Sequence, residues 1–290
     1  MTQPQSKHSG SILRALLEHD VVMCPGAWNG LVAAAVAQAG FNACYISGAA
    51  TANASGYPDV GLITLSEMCR TIREVADASK LPVVVDADTG YGEVESIART
   101  VVEFERSGAA GMHIEDQQFP KRCGHLDGKT LVSQTAMVEK VKTASENRLT
   151  KDFLLIARTD ARGVEGIEAA IERGLAYRNA GADMIFPEGL QNEEEFTQFA
   201  EACPGLLLAN MTEFGKTPHI STNRFGELGY NLVIYPVTMQ RVAMQAITTC
   251  LQKLYNDGSA EGFEDQMQTR QELYDLLRYV PGEEWRFLNQ

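Results

Sequence analysis

Gly108-Ala109-Ala110-Gly111-Met112-His113-Ile114-Glu115 carries a pattern that runs through the chain: a helical stretch closed by glycine, two or three residues, a short apolar strand, then polar residues. The phrase returns as Gly40-Phe41-Asn42-Ala43-Cys44-Tyr45-Ile46-Ser47, as Gly181-Ala182-Asp183-Met184-Ile185-Phe186-Pro187-Glu188 and as Gly229-Tyr230-Asn231-Leu232-Val233-Ile234-Tyr235-Pro236. Glycine suits a helix C-terminus because it alone takes the left-handed cap without steric cost. Val21-Val22-Met23 opens the series, and between the phrases lie further apolar runs, Val83-Val84-Val85, Phe153-Leu154-Leu155-Ile156 and Leu206-Leu207-Leu208. These are eight strands of continuous rather than alternating hydrophobicity, the mark of a parallel sheet buried on both faces. Helical patterns at 28–39, 64–80, 93–107, 133–147, 164–180 and 192–202 separate them, and Thr64-Leu65-Ser66-Glu67 reads as a capping box opening the second. The alternation predicts an α/β fold, a (β/α)8 TIM barrel. An open doubly wound sheet is the competitor, but no GxGxxG follows the first strand. An extra helix at 9–19 and two more at 238–257 and 260–279 flank the barrel. No linker divides the chain, so one domain is expected over 1–290, with the barrel at about 20–257 and a C-terminal helical extension at about 258–290.

With 290 residues, 44% of them hydrophobic, the chain can bury a large core. Its net charge of −13, with no basic block, argues against nucleic acid or an anionic membrane as partner. No apolar run approaches the ~20 residues of a membrane span, and Met1–Gly10 lacks a signal core, so a cytoplasmic protein is expected. Six cysteines occur without CxxC or CxxH spacing, which makes disulfides or a zinc site unexpected. Cys24, Cys44, Cys69 and Cys250 read as small core hydrophobes.

A barrel carries its active site at the C-terminal ends of its strands. Those ends read Tyr45 and Ser47, Asp86 and Asp88, His113 and Glu115, Arg158 and Asp160, Glu188, Asn210 and Thr212, and Tyr235. Any one of them could cap a loop, but random capping would supply more Gly, Pro and Ser. Asp86-Ala87-Asp88 sets two carboxylates on one side of an extended segment. With Glu115 and Asp59 they gather oxygens at one mouth, where a hard cation relieves the repulsion, and magnesium fits because it takes few carboxylates and keeps waters. The competing reading is that Asp86 and Asp88 cap the next helix. Lys121-Arg122-Cys123-Gly124-His125 puts a thiol beside two cations and an imidazole, a setting that favours thiolate or proton transfer. Arg158, Arg241 and Arg270 are candidate clamps for substrate carboxylates. His113 and His125 could serve as donors, and Asn210 and Thr212 could cap a turn or bind substrate.

Lys121-Arg122-Cys123-Gly124-His125, Asp86-Ala87-Asp88, Phe186-Pro187-Glu188 and Asn210-Met211-Thr212-Glu213-Phe214-Gly215 together resemble the isocitrate lyase and phosphoenolpyruvate mutase superfamily. The likeness runs from about residue 10 to about 280, including Met267-Gln268-Thr269-Arg270, and the cysteine loop is that of its carbon–carbon lyases, most similar to the methylisocitrate lyase group. The resemblance implies a magnesium-dependent barrel, a homotetramer exchanging a C-terminal helix, and a role in propionate catabolism through the methylcitrate cycle. It implies that Asp86 and Asp88 hold Mg2+, with Asp59 and Glu115 supporting through water. Ser47, Gly48 and Ala49 would bind the hydroxy-acid end of a di- or tricarboxylate, and Gly124, Arg158, Glu188, Asn210, Thr212, Arg241 and Arg270 the rest. Cleavage of 2-methylisocitrate to pyruvate and succinate would use Cys123 as proton donor, Tyr45 as base, and Lys121, Arg122 and His125 to tune the thiol. Ser47-Gly48-Ala49-Ala50 departs from the Ser-Gly-Gly-Gly of many relatives, and its two methyls are expected to narrow the pocket. Phe186 and Ile234 are the expected apolar wall for the substrate methyl. The alternatives are a lyase or decarboxylase for 2,3-dimethylmalate, isocitrate or oxaloacetate, and a catalytically silent barrel.

Overall fold

A computed structural model describes residues 8–285. Eight parallel strands form the barrel: β1 (Val22–Pro25), β2 (Cys44–Ile46), β3 (Val83–Asp86), β4 (Gly111–Glu115), β5 (Leu154–Thr159), β6 (Met184–Pro187), β7 (Leu206–Asn210) and β8 (Leu232–Tyr235). Each pairs with its sequence neighbour, β1 pairs with β8, and a parallel bridge between Gly26 and Tyr45 closes the ring between β1 and β2. The helices are α1 (Ser9–Leu17), α2 (Gly30–Gln38), α3 (Gly48–Ala54), α4 (Leu65–Ser79), α5 (Val94–Arg106), α6 (Gln134–Asn147), α7 (Ile167–Asn179), α8 (Glu193–Ala202), α9 (Thr222–Glu227), α10 (Thr238–Asp257) and α11 (Arg270–Leu276). Among the described residues no helix is long and apolar enough to cross a membrane.

The local signals act as expected. The four phrase glycines, Gly40, Gly108, Gly181 and Gly229, all have positive φ, from 89° to 110°. Thr64 and Glu67 form both halves of the capping box. Every residue of β2 through β6 is buried, because alternate side chains enter two different cores. Tyr45, Val84, Ile156, Phe186, Leu208 and Ile234 fill the barrel, whose lower end is plugged by Leu13 and Leu17 of α1. Val83, Val85, Met112, Leu155 and Ile185 face outward into the layer beneath the helices. Burying each such side chain stabilises the fold by ~1.5–3 kcal/mol before entropy is subtracted.

Three expectations need correction. The 260–279 stretch is not one helix: Gly258 ends α10 in a left-handed cap, Glu264–Gln266 is a single tight turn, and α11 starts only after the capping box of Thr269 with Glu272. The short helices α3 and α9 were not anticipated. Cys24, Cys44 and Cys69 are buried as expected, but so is Cys203, whereas Cys250 is half-buried on α10, a helix whose one buried residue is Gln240.

Candidate active site

The strand ends converge on a cavity of about 220 Å³ lined by Tyr45, Ser47, Ala49, Asp59, Asp86, Lys121, Cys123, Gly124, His125, Arg158, Phe186, Glu188, Asn210, Thr212, Ile234 and Arg241. Asp88, Gly48 and Glu115 stand behind this lining and hold it. Asp88 ion-pairs with Lys121 at 2.7 Å, and the Gly48 amide donates to Asp86 Oδ2 at 3.0 Å. Glu115 lies 3.2 Å from Arg158 Nη1. Arg270 is the exception: it is exposed at the first turn of α11 and does not line the cavity. The Ala49 methyl lines the mouth, but Ala50 is buried beside it, so only one of the two extra methyls narrows the pocket.

β3 delivers Asp86, and a tight turn with Asp88 at φ +46° brings the second carboxylate back beside it. A non-glycine residue in that region is uncommon and marks a constrained backbone. The Asp88 amide is satisfied by Asp86 Oδ1 at 2.9 Å. Burial pushes the Asp88 carboxyl up to about 6; Lys121 opposes this and Asp86 adds to it. For Asp86 the same burial is outweighed by His113, Lys121 and Arg158, and its pKa falls. Both Glu115 oxygens are buried without a hydrogen bond.

These residues fit magnesium. A Cβ at position 48 would lie 3.0 Å from both Asp86 Oδ2 and Asp88 Oδ1, so the glycine leaves both carboxylates accessible from one side. Among the described residues no three His, Cys, Asp or Glu side chains enclose an ion. Magnesium does not require such a cage, since it is held by one or two carboxylates plus waters and substrate oxygens.

Cys123 is half-buried and lines the same cavity as Asp86. The expectation that neighbouring cations favour its thiolate is corrected. Burial raises its pKa, Glu188 and Asp59 add to this, and the His125 amide and Arg158 oppose it only in part. The reason is direction: Lys121 turns inward to Asp59 and Asp88, while Arg122 is exposed and bonds the Asp127 carbonyl. At neutral pH the site therefore holds a protonated thiol.

His125 accepts from the Lys216 amide through Nδ1 at 3.0 Å, so its proton is on Nε2, 3.2 Å from Glu188 Oε1. Glu188 also accepts from Asn210 at 3.0 Å and faces Arg158. Arg158, His125 and Asn210 together overcome the effect of burial and hold its carboxyl well below the usual range. Tyr45 Oη lies 2.8 Å from His113 Nε2, and burial pushes that imidazole down to about 4, leaving it neutral and able to accept. Arg241 is held by Glu213 at 2.9 Å and stands 3.4 Å from Thr212 Oγ1.

Sequence reasoning missed Lys129, which is buried between Asp160, at 2.9 Å, and the Gly124 carbonyl, and so pins the cysteine loop to β5. It missed Lys216 as well, which bonds His125 and Asp127. Neither has a sequence signal, because each is an ordinary loop lysine until the loops meet. Asp160 was noted at its strand end; its grip on Arg158 at 3.0 and 3.1 Å was not foreseeable.

The family model described as phosphoenolpyruvate phosphomutase matches residues 13–255. The chain belongs to that family. Within the phosphoenolpyruvate phosphomutase family it is 51% identical over 266 residues to a probable 2-methylisocitrate lyase 1 of Corynebacterium glutamicum, covering 91% of this chain and 87% of the relative. A crystal structure of 2,3-dimethylmalate lyase superposes with a TM-score of 0.89 at 37% identity, covering 94% of this chain and 92% of that one. Phosphonopyruvate hydrolase in complex with oxalate and Mg2+ superposes with a TM-score of 0.84 at 26% identity, covering 93% and 95%. With such relatives the chain is an enzyme, a carbon–carbon lyase.

Proposed function

We propose that the chain is a magnesium-dependent 2-methylisocitrate lyase, forming pyruvate and succinate in the methylcitrate cycle of propionate catabolism. The observation that carries this reading is that half-buried Cys123 and Asp86 line one small cavity, where burial raises the thiol's pKa. Asp86 and Asp88 would hold the ion, with Asp59 and Glu115 supporting through water. When bound, it supplies Lewis-acid stabilisation of negative charge on substrate oxygens. Ser47, Gly48 and Ala49 take the hydroxy-acid end, and Arg158, Asn210, Thr212 and Arg241 take the remaining carboxylates. Phe186 and Ile234 give the substrate methyl an apolar wall.

Tyr45 removes the hydroxyl proton. Its own pKa is raised well above the usual range by burial and by Asp86, so it acts by passing its proton to His113 Nε2 rather than as a standing tyrosinate. The C–C bond then breaks, the hydroxyl carbon becomes the pyruvate carbonyl, and the bond's electrons move to the carbon of the departing diacid. Cys123 gives that carbon its proton to make succinate, and solvent returns the proton from His113 to the sulfur. Lys121 and His125, fixed by carboxylates, keep the loop seated over the mouth. Positioned acid–base assistance of this kind is worth ~10²–10⁴ in rate.

A second reading, a lyase for 2,3-dimethylmalate, is favoured by one observation: Arg270 does not reach the cavity within one chain. A tricarboxylate needs more cations than a dicarboxylate, so the leading reading requires a neighbouring copy to supply Arg270. An exposed apolar stripe on α10, Met244, Ile247, Leu251 and Leu254, supports such a homotetramer. We further assign the chain as one cytoplasmic domain over 1–290, whose ends beyond 8–285 lie outside the described residues.

The test is product formation with Mg2+ from 2-methylisocitrate, 2,3-dimethylmalate, isocitrate and oxaloacetate in parallel. Pyruvate formed fastest from 2-methylisocitrate, and lost with EDTA, is the expected result. Faster pyruvate formation from 2,3-dimethylmalate would transfer the assignment to that substrate, and no oxo acid from any of the four would remove the proposal.

A further inference from the structure

Beside the catalytic mouth a second cavity, of about 770 Å³, opens among segments 61–65, 88–93 and 117–119. Its size falls within the ~300–1,000 Å³ usual for ligand sites. Lys140 of α6 lines it at 5% exposure, and its Nζ donates only to the Thr89 carbonyl, at 3.3 Å. Among the described residues the buried cations are Lys121, Lys129, Lys140, Arg158 and Arg173. All the others have a carboxylate within 4.0 Å; Lys140 has none. A buried ammonium without a counter-charge is costly, and among the described residues its Nζ has the Thr89 carbonyl as its one hydrogen-bond partner. Arg99 of α5 lines the same cavity and makes no ion pair or hydrogen bond among the described residues. The Tyr91 hydroxyl on this wall is likewise buried without a partner. Of the carboxylates that line the cavity, Asp88 is already paired with Lys121, and Glu93 is not within ion-pairing distance of Lys140.

The rest of the lining mixes polar side chains, Thr64, Ser96, Gln117 and Gln118 among them, with an apolar group gathered from segments 62–65, 119 and 132. Leu65 and Val132 sit inside, and Leu62 and Phe119 stand 50% and 62% exposed at the rim. Two cations without counter-charges beside an apolar rim define an amphipathic anion. We propose that this cavity binds an organic carboxylate with a short alkyl chain, its head on Lys140 and Arg99 and its chain on Leu62, Leu65 and Phe119. The site is independent of the substrate assigned to the mouth.

Calorimetric titration of the full chain with hexanoate, succinate and inorganic phosphate tests it. Hexanoate binds wild type at millimolar concentration, one per chain, and more tightly than the other two. Lys140→Met weakens it by ~10-fold or more and Arg99→Met, at an exposed position, by several-fold. Phe119→Ala weakens hexanoate but not succinate. Absence of hexanoate binding, equal binding by all variants, or phosphate binding as well as hexanoate would overturn the proposal. The ligand-free Lys140→Met protein melts no lower than wild type. A large fall in its Tm, or failure to fold, would assign Lys140 to bracing the 88–92 turn and likewise overturn the site.

Discussion

At position 124 a Cβ would stand 2.5 Å from Arg158 Nη2 and closer still to Glu188 Cγ, so Gly124→Ala holds the cysteine loop off the mouth. Displacing a reacting group by about an ångström costs ~10²-fold. The expected outcome is a fall of that order in kcat/KM for pyruvate formation with little change in Tm, read by steady-state kinetics and calorimetry. His113 gives a pH signature. Its folded pKa of about 4 lies below its unfolded value of ~6.5, so its stabilisation is fully present above pH 6.5 and is lost as pH falls towards 4. Between pH 7.5 and 5 wild type should lose about 2 kcal/mol that His113→Asn does not, measured by denaturant unfolding at both pH values. Which residues ionise or bond at the strand ends was legible in the sequence, because strand ends face the mouth whatever the loops do. Where Lys121 and Arg122 point was not, because adjacency to Cys123 fixes no direction. The thiol's protonated state follows from that direction.

The helix and strand boundaries followed from patterns the backbone obeys locally, glycine caps and capping boxes above all. Elements without such a pattern escaped. In α3, Gly48-Ala49-Ala50-Thr51-Ala52-Asn53-Ala54 is too short and too uniformly small to show a period. Around 260–279 a helical composition is interrupted by Gly262 at φ 77°, which composition alone does not reveal. On α10 the exposed residues Met244, Ile247, Leu251 and Leu254 repeat at helical spacing, a face that a neighbour would cover. Leu251→Glu is therefore expected to convert the proposed homotetramer to smaller species in analytical ultracentrifugation. An unchanged sedimentation profile would remove α10 from the interface.

Across the whole molecule the four glycine–strand phrases and the four further apolar runs sufficed to specify the barrel, since each contributes one of its eight parallel strands. Arg270 belongs to a scale the single chain does not reach: its sequence match is to the site, while its position in the fold is outside it. If a neighbour supplies it, Arg270→Met and Cys123→Ser subunits are each inactive alone, and mixed tetramers recover about a quarter of wild-type turnover. No recovery after subunit exchange would place both residues in one chain's site. In the proposed reaction the Cys123 sulfur is the acid that completes cleavage. The direct measurement is kcat of Cys123→Ser at saturating 2-methylisocitrate and Mg2+. A loss of ~10²–10⁴-fold with Tm unchanged is expected, and turnover equal to wild type would contradict the role of Cys123 as acid.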